Sequence, residues 1–332
     1  MPLSKTGDGR ARRPILISQG EPSGIGPEIA LKAFARLNGN IAGRPLRIAG
    51  SPPLLHDTAA RLNLDSPSWR EAIVETGPPV NAEPGRPSVR NAGAVTAAIE
   101  YCAAACVDGK AAAMVTAPIQ KSLLTEAGFG FPGHTEFLEA LTGAKRAVMM
   151  LASSDIDPPL RVVPYTIHIP LAEVFRRLDP AAIAATARVT LQSLRTDFGI
   201  ANPRLAIAGV NPHAGEDGTM GREEIEILAP LIASLRSEGH SALGPRSADT
   251  MFHADARRSY DAALCMFHDQ ALIPIKTLAF DSGVNVTLGL PIVRTSPDHG
   301  TALDIAGKGV ANEASMIAAI RMAADIADRR GL

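Results

Sequence analysis

The sequence predicts an α/β protein built from two domains, and two observations support this. Short apolar runs alternate with amphipathic helical stretches along the chain, a pattern typical of largely parallel sheets covered by helices. At 332 residues, a single hydrophobic core has usually split into two domains. Hydrophobic residues make up 46% of the chain and charged residues 20%, as in an ordinary packed protein.

The sequence of the first part of the chain predicts three strands and two helices. Residues 14–18 form an apolar run that ends in a Gly/Pro-rich loop, and a helix follows with Pro27 in its first turn. Residues 46–49 form a second strand. An Ala-rich helix over residues 91–106 then leads into a buried strand over residues 111–115.

The rest of the chain repeats this alternation, and residues 133–136 form a loop that opens a further helix. The predicted strands are 161–167, 204–210 and 262–267, and the predicted helices are 180–198, 223–238 and 314–329. The sequence contains no internal repeat and no low-complexity segment.

Charge and composition exclude several classes of protein. The 33 Lys and Arg residues are balanced by 34 Asp and Glu residues, so the basic excess of a nucleic-acid-binding protein is missing. No run approaches the length of a membrane span, and the polar, basic N-terminal stretch has no apolar signal core. The three cysteines form neither a CxxC pair nor a disulfide framework. We therefore expect a cytoplasmic protein.

Three histidines follow three predicted strands: His168, His213 and His268. Ligands of α/β sheets bind beyond the carboxyl ends of strands, where three imidazoles could hold a divalent metal with an open coordination position. The alternative is that these are three unrelated loop histidines. Their spacing matches no compact zinc motif, so the sequence leaves both interpretations open.

A second set of residues suggests recognition of an anion. Lys276, Asn285 and Arg294 lie on a segment rich in Gly and β-branched residues, and the 133–136 loop places backbone N–H groups at a helix start. A lysine, an arginine and a helix N-terminus together suit a phosphate or carboxylate. A solvated, charged loop is the alternative.

The loop over residues 20–26 follows a strand and opens a helix, as a dinucleotide-binding loop does. However, its glycines are spaced G-x3-G-x-G instead of G-x-G-x-x-G, and no acidic residue is well placed downstream. We interpret it as a tight loop on the substrate side or as a structural loop.

Two sets of motifs carry a resemblance to known families. The stretch HGTALDIAGKG over residues 299–309 resembles the nucleotide-binding loop of the isocitrate and isopropylmalate dehydrogenases. The wider set resembles the 4-hydroxythreonine-4-phosphate dehydrogenase family from about residue 14 to residue 322. Its motifs are GEPSGIGPE at 20–28, GHTEF at 133–137, GVNPHAGE at 209–216, FHDQ at 267–270, VNVTLGLP at 284–291 and RTS at 294–296.

The resemblance implies an isocitrate/isopropylmalate dehydrogenase-like fold of two α/β/α domains with a cleft between them. It implies a homodimer whose active site is completed by the partner subunit. We expect a nucleotide-side domain over residues 14–130 and 300–330 and a metal, substrate and dimerisation domain over residues 131–299. Residues 1–13 would form a flexible N-terminal extension.

The resemblance also implies the reaction. NAD or NADP would oxidise 4-phosphooxy-L-threonine (4-hydroxythreonine 4-phosphate) to 2-amino-3-oxo-4-phosphooxybutanoate during pyridoxal 5′-phosphate synthesis. This product would lose carbon dioxide to give 3-amino-2-oxopropyl phosphate. One divalent metal, zinc, magnesium or cobalt, would lower the pKa of the reacting hydroxyl.

By the same resemblance, each implied site residue has a role. The metal ligands would be His168, His213 and His268, which act in catalysis together with Lys276. From the chemistry of the residues alone, Asp269 and Asp249 could fix imidazole tautomers, or could be ordinary caps or surface carboxylates. Substrate contacts would fall on His134, Thr135, Lys276, Asn285 and Arg294, and coenzyme contacts on His299, Gly300 and Asp304.

The sequence leaves three alternatives open. A relative could oxidise an aromatic cis-dihydrodiol or a four-carbon phosphosugar acid, although Lys276 and Arg294 together favour a phosphorylated substrate. A three-histidine metal hydrolase would belong to another class, and it would leave the 299–309 loop without a role. A protein that only binds a metal or nucleotide is a third possibility.

Overall fold

The computed structural model describes residues 12–64, 68–131 and 133–332. The predicted N-terminal extension, residues 1–13, lies outside the described residues except for Arg12 and Arg13. Within the described residues, twelve strands form one sheet. They are β1 (Ile15–Ser18), β2 (Asn40–Ile41), β3 (Arg44–Gly50), β4 (Ile73–Glu75), β5 (Ala113–Thr116), β6 (Val148–Ser153), β7 (Leu160–Pro164), β8 (Arg204–Ala208), β9 (Ser241–Arg246), β10 (Ala262–Cys265), β11 (Val284–Leu288) and β12 (Arg294–Pro297).

The sheet consists of two parallel groups that run in opposite directions. Its order is β2-β3-β1-β5-β12-β11-β6-β7-β10-β8-β9, with β4 beside β3. Strands β4, β3, β1, β5 and β12 form the first parallel group, and β7, β10, β8 and β9 form the second. Three antiparallel pairings, β12–β11, β11–β6 and β6–β7, join them. Because this number is odd, the carboxyl ends of the two groups lie at opposite edges of the sheet.

Helices cover both faces of the sheet. They are α1 (Gly26–Arg36), α2 (Pro52–Arg61), α3 (Ser68–Glu71), α4 (Ala92–Val107), α5 (Lys121–Glu126), α6 (His134–Thr142), α7 (Leu171–Val174), α8 (Pro180–Thr196), α9 (Ala229–Ser237), α10 (Ala254–Arg257), α11 (His268–Leu278) and α12 (Ala314–Arg329). Local chemistry fixes several ends. The Asp179 side chain accepts a hydrogen bond from the Ala181 N–H at the start of α8, and α6 ends at Gly143, whose φ is 66°.

The hydrophobic core is continuous on one face of the sheet and interrupted on the other. On the first face, one cluster runs from Ile17 through Val286 to Leu264 and packs against α1, α8, α9 and α12. On the second face, α4 and α6 cover one group of strands, with Met114 in their cluster. Helix α11 covers the other group, with Val162 in a separate cluster. The central strands between these two clusters present polar side chains, so a cleft opens there.

Each predicted strand and helix overlaps an observed one, but the prediction is incomplete. Six strands were not predicted: β2, β4, β6, β9, β11 and β12. The expectation of largely parallel sheets is therefore corrected for the centre, where β6 and β11 run antiparallel to their neighbours. These strands connect without crossover helices, so the alternation that reveals βαβ units is missing there.

The division into two domains stays a prediction. The sheet continues across the predicted boundaries, because β12, on the substrate side of the division, pairs with β5 on the nucleotide side. No helix in the described part of the chain is long and apolar enough to cross a membrane.

Candidate active site

A cavity of about 830 Å³ occupies the gap on the second face of the sheet. All five predicted substrate residues line it: His134, Thr135, Lys276, Asn285 and Arg294. His168, His299 and Gly300 also line it, whereas His213, His268 and Asp304 are not among its lining residues. The structure thus brings together side chains from both parallel groups of the sheet.

Arg294 lies in this cavity as a buried cation without a carboxylate partner. It is the first residue of β12 and is only 4% exposed. Its guanidinium donates to two threonine hydroxyls, at 2.6 Å to Thr116 Oγ1 and 3.0 Å to Thr287 Oγ1. Burial lowers the pKa of Arg294 to about 10, so the guanidinium stays charged at neutral pH. Within the described residues it forms no salt bridge, which leaves its charge available for an anion.

His134 adds a neutral hydrogen-bond donor beside this charge. Arg294 Nη2 lies 3.2 Å from His134 Nδ1, and burial together with this guanidinium lowers the pKa of His134 to about 3. Because guanidinium nitrogens only donate, Nδ1 accepts and the ring proton sits on Nε2. His134 Nε2 is buried without a hydrogen-bond partner, so its N–H is available to a ligand.

Asn285 supplies a third polar group, on the neighbouring strand. Its Oδ1 atom is buried without a partner. In the sheet, Asn285 pairs with Ser296 of β12, and both residues line the cavity. Since side chains two residues apart on a strand share a face, Asn285 and Thr287 project from the same side, as do Arg294 and Ser296. The cavity floor is therefore a polar patch on the central strands.

Lys276 is present in the cavity, but its charge is already compensated. Its Nζ lies 2.8 Å from Asp298 Oδ2 and also donates to the Asp298 carbonyl oxygen. Burial raises the pKa of Asp298, against the opposing effect of Lys276. This pair is close to neutral overall, so Arg294 contributes the uncompensated positive charge of the cavity floor.

The three histidines of the predicted metal site are brought only partly together. His168 and His268 follow the adjacent parallel strands β7 and β10, and their ring centroids are 5.6 Å apart. Asp269 Oδ1 lies 2.7 Å from His268 Nδ1, which leaves His268 Nε2 free. His213 follows β8 at the same edge of the sheet, on an exposed turn.

The donor chemistry of these residues fits a divalent metal, because two imidazoles already lie close together at one edge. In the described ranges, however, no three His, Cys, Asp or Glu side chains form a group that could hold an ion. The structure therefore brings together two of the predicted ligands within one chain and not the third.

The 299–309 loop is fastened to α1 and to the loop that precedes it. At one end, the Ile25 N–H donates to the Thr301 carbonyl at 3.0 Å. At the other end, Lys32 Nζ donates to the carbonyls of Gly309 and Ala311, each at 2.8 Å, and pairs with Glu28 at 2.7 Å. The 20–26 loop thus serves as a support for the 299–309 loop, in line with the structural alternative suggested by its spacing. Asp304 is exposed on that loop.

Several cavity residues were not predicted from the sequence. Thr116 ends β5, Lys121 begins α5, and Asp298 follows β12. Thr116 stood at the end of an apolar run, which is a weak signal that could have suggested it. Nothing in the sequence pattern paired Lys276 with Asp298, because that contact depends on where α11 ends relative to β12.

Comparison with known proteins places this geometry in context. The family described as "Pyridoxal phosphate biosynthetic protein PdxA" matches residues 43–323. A 4-hydroxythreonine-4-phosphate dehydrogenase from Paracoccus denitrificans is 52% identical over 324 residues, covering 96% of this chain and 99% of the relative. The crystal structure of that dehydrogenase from Klebsiella pneumoniae superposes with a TM-score of 0.81 at 37% identity, covering 95% and 99% of the two chains.

A second enzyme of different substrate also resembles the chain. The crystal structure of a terephthalate 1,2-cis-dihydrodiol dehydrogenase from Burkholderia xenovorans LB400 gives a TM-score of 0.63 at 29% identity, covering 94% and 97% of the two chains. Both similarities extend over nearly the whole length of each protein, so the predicted α/β fold is confirmed.

Proposed function

The chain belongs to the family of the pyridoxal phosphate biosynthetic protein PdxA, and we propose that its central cavity catalyses the dehydrogenation of 4-hydroxythreonine 4-phosphate. The protein is an oxidoreductase of pyridoxal phosphate synthesis. The hydrolase alternative is abandoned, since the named relatives are dehydrogenases.

The buried, uncompensated guanidinium of Arg294 is the observation that carries this proposal. A buried cation without a counter-charge costs free energy unless a ligand supplies the charge. The His134 N–H next to it adds a second donor. We assign the phosphate of the substrate to these two residues and to Thr135 in the first turn of α6.

Lys276 and Asn285 hold the remaining polar groups of the substrate. The Lys276–Asp298 pair presents a fixed ammonium, and the Asn285 Oδ1 atom accepts a hydrogen bond from the substrate ammonium or hydroxyl. With both ends of the substrate fixed, the secondary C–H is oriented for transfer. Oxidation removes a hydride from this carbon and a proton from its hydroxyl. The resulting β-keto acid then loses carbon dioxide to give 3-amino-2-oxopropyl phosphate.

A nicotinamide coenzyme supplies the hydride acceptor, and we assign its binding to His299, Gly300 and Asp304. A divalent metal held by His168, His213 and His268 would supply positive charge beside the reacting hydroxyl. Zinc, cobalt and magnesium, and both NAD and NADP, are compatible with this assignment.

We further propose a homodimer in the cytoplasm whose association completes the metal site. One chain brings only His168 and His268 close together, so a site with all three imidazoles needs a rearrangement or a second copy. Within each subunit, the cleft lies between the predicted nucleotide-side and substrate-side domains.

The function is tested by following NAD(P)H formation on two substrates. Turnover of 4-hydroxythreonine 4-phosphate should greatly exceed that of the unphosphorylated 4-hydroxythreonine, because the latter leaves Arg294 without a counter-charge. NADH production from an aromatic cis-dihydrodiol, with none from the phosphorylated substrate, would overturn the assignment in favour of the dihydrodiol relative.

The metal assignment needs a separate measurement. Removing metal with a chelator should abolish turnover, and adding Zn²⁺ or Co²⁺ should restore it. Bound metal should be lost in both His213→Ala and His268→Ala. Full metal occupancy in both variants would refute the ligand assignment.

A further inference from the structure

The turn that carries His213 has an unusual backbone. Six consecutive residues, from His213 to Gly218, have positive φ angles of 51°, 53°, 83°, 41°, 51° and 92°. Four of them are not glycine, and each L-residue in this conformation costs roughly 1–2 kcal/mol. A run of this kind persists only where its surroundings hold it in place.

The surroundings that hold this turn centre on Glu224. Its side chain is buried, and its residue exposure is 2%. Its Oε1 atom accepts hydrogen bonds from the Val210 N–H at 2.7 Å and the Asn211 N–H at 2.8 Å. Its Oε2 atom accepts one from Asn211 Nδ2 at 2.9 Å. No cation pairs with Glu224 in the described part of the chain, so these three donors satisfy the carboxylate.

The glycines of the same motif leave room for this carboxylate. A Cβ atom on Gly215 would lie 2.7 Å from Glu224 Oε2, and one on Gly209 would lie 3.0 Å from Oε1. Gln270, which belongs to the FHDQ motif, supplies a second connection. It donates to the Gly209 carbonyl and accepts from the Met266 N–H, each at 2.7 Å. The motifs around His213 and His268 are thus joined through side-chain contacts to the backbone.

We propose that Glu224 is a positioning residue that holds the left-handed turn in the orientation in which His213 can reach the metal. This inference rests on the proposed function, in which His213 is a ligand. Glu224 itself contacts neither metal nor substrate in this proposal. It acts through the Val210 and Asn211 amides, and it needs to be a carboxylate because all three of its partners are donors.

The test uses an isosteric change that reverses one hydrogen bond. In Glu224→Gln, Oε1 can still accept from the two backbone amides. The new Nε2 then faces Asn211 Nδ2, and because both nitrogens are donors, this hydrogen bond is lost. Asn211 cannot rotate its amide freely, because Nδ2 also donates to Glu223 Oε2 at 2.6 Å. The double variant Glu223→Ala/Glu224→Gln removes this obstacle, because Asn211 can then rotate its amide and its Oδ1 atom can accept from the new Nε2.

Two measurements on the full-length protein separate the positioning role from the metal assignment. Hydrogen exchange followed by mass spectrometry should show faster exchange over residues 209–218 in Glu224→Gln and recovery in the double variant. Calorimetric titration with Co²⁺ alone should show at least a tenfold loss of affinity in Glu224→Gln and recovery in the double variant. Glu226→Gln is the matched control, because Glu226 is exposed and pairs only with Arg222 among the described contacts.

Each outcome decides the proposal. If hydrogen exchange over residues 209–218 is the same in Glu224→Gln as in the wild-type protein, then Glu224 does not hold the turn. Faster exchange with unchanged Co²⁺ affinity overturns its role in presenting His213. A further outcome is that the wild-type protein binds no Co²⁺ while hydrogen exchange over residues 209–218 is still faster in Glu224→Gln. In that case the metal function fails and the positioning role fails with it, and the contacts of Glu224 with Val210 and Asn211 serve only to hold the turn. Loss without rescue in the double variant indicates general damage to the fold and also counts against the proposal.

Discussion

At the scale of single residues, the charge state of the cavity follows from burial. Arg294 keeps its proton because its pKa remains about 10, and His134 stays neutral because its pKa falls to about 3. Across the pH range in which enzymes usually work, the Arg294–His134 pair therefore presents one fixed positive charge and one N–H donor. Neither of these two groups should contribute to changes of substrate affinity with pH in this range.

Replacing Arg294 by Met should weaken substrate binding strongly. Hydrogen bonds to charged groups contribute about 1.5–3 kcal/mol, which corresponds to roughly a 10- to 100-fold rise in KM. Steady-state kinetics with the phosphorylated substrate measures this effect. Arg176→Met is the control, since Arg176 is exposed and pairs with Glu173 away from the cavity. An unchanged KM in Arg294→Met would refute the role assigned to the guanidinium.

The neutral His134 predicts a pH-dependent stability. Its pKa is about 3 in the folded state and near 6.5 when unfolded, so between these values the unfolded chain binds more protons. The free energy of unfolding should therefore fall as the pH drops below 6.5, by at most about 1.4 kcal/mol per pH unit from this group. Urea unfolding at pH 5 to 8 should show a smaller decline in His134→Gln. Equal slopes in the two proteins would contradict the lowered pKa.

The sequence named all five predicted substrate residues that line the cavity, but not their pairings. His134, Asn285 and Arg294 could be named because their motifs resemble a family. The contact of Arg294 with Thr116 and Thr287 joins positions 178 and 7 residues away, and no local pattern records such a contact. The ion pair in which Asp298 neutralises the charge of Lys276 could not be predicted for the same reason.

At the scale of elements, α1 and the 299–309 loop form one unit. Lys32 donates to the carbonyls of Gly309 at the end of the loop and of Ala311 just beyond it, and Glu28 accepts from the Ala311 N–H at 2.9 Å. The sequence placed Glu28 correctly in the first turn of a helix but gave no sign of this second partner. Helix boundaries could be predicted from caps and prolines, whereas contacts between a helix and a distant loop could not.

Lys32→Met should loosen the 299–309 loop, to which we assign coenzyme binding, and leave the substrate site intact. We expect the KM for the coenzyme to rise about three- to tenfold, because the Gly309 and Ala311 carbonyls lose a charged donor. The KM for the phosphorylated substrate should stay near its wild-type value. Arg36→Met is the matched control one turn later on α1, where Arg36 pairs with Glu313. A rise in both KM values would indicate general destabilisation and contradict a local effect.

Two glycine substitutions separate backbone strain from crowding at the His213 turn. Gly215 and Gly239 have similar φ angles of 83° and 85°, but only the former lies against Glu224. Gly239→Ala should cost about 1–2 kcal/mol for the left-handed conformation alone. Gly215→Ala should cost a further 1–3 kcal/mol or so from crowding, as measured by urea unfolding. An equal loss of unfolding free energy in the two variants would mean that the Glu224 side chain moves aside at little cost.

At the scale of the whole molecule, the two parallel groups contribute different parts of the site. The carboxyl ends of the first group carry the 20–26 and 299–309 loops, and those of the second group carry the three histidines. The central antiparallel strands lie between them and provide the cavity floor. The alternation of strands and helices predicted both groups but not this centre, so the sequence did not show how the two would face each other.

A continuous sheet predicts cooperative unfolding of the whole subunit. Because β12 pairs with both β5 and β11, separating the two predicted domains breaks the sheet. Differential scanning calorimetry should show one transition, shifted upwards by inorganic phosphate as expected for a ligand of the native state. Two transitions, of which phosphate shifts only one, would show that the halves unfold independently.

The opposite directions of the two strand groups also set the dimensions of the cavity. The 299–309 loop and the histidines stand at opposite edges of the sheet, and the central strands β11 and β12, of five and four residues, lie between these edges. Each strand residue adds about 3.3 Å. Inserting one residue into both strands would therefore move the two edges apart by about that distance. The short length of these two strands is thus what keeps groups from opposite edges within reach of one small ligand.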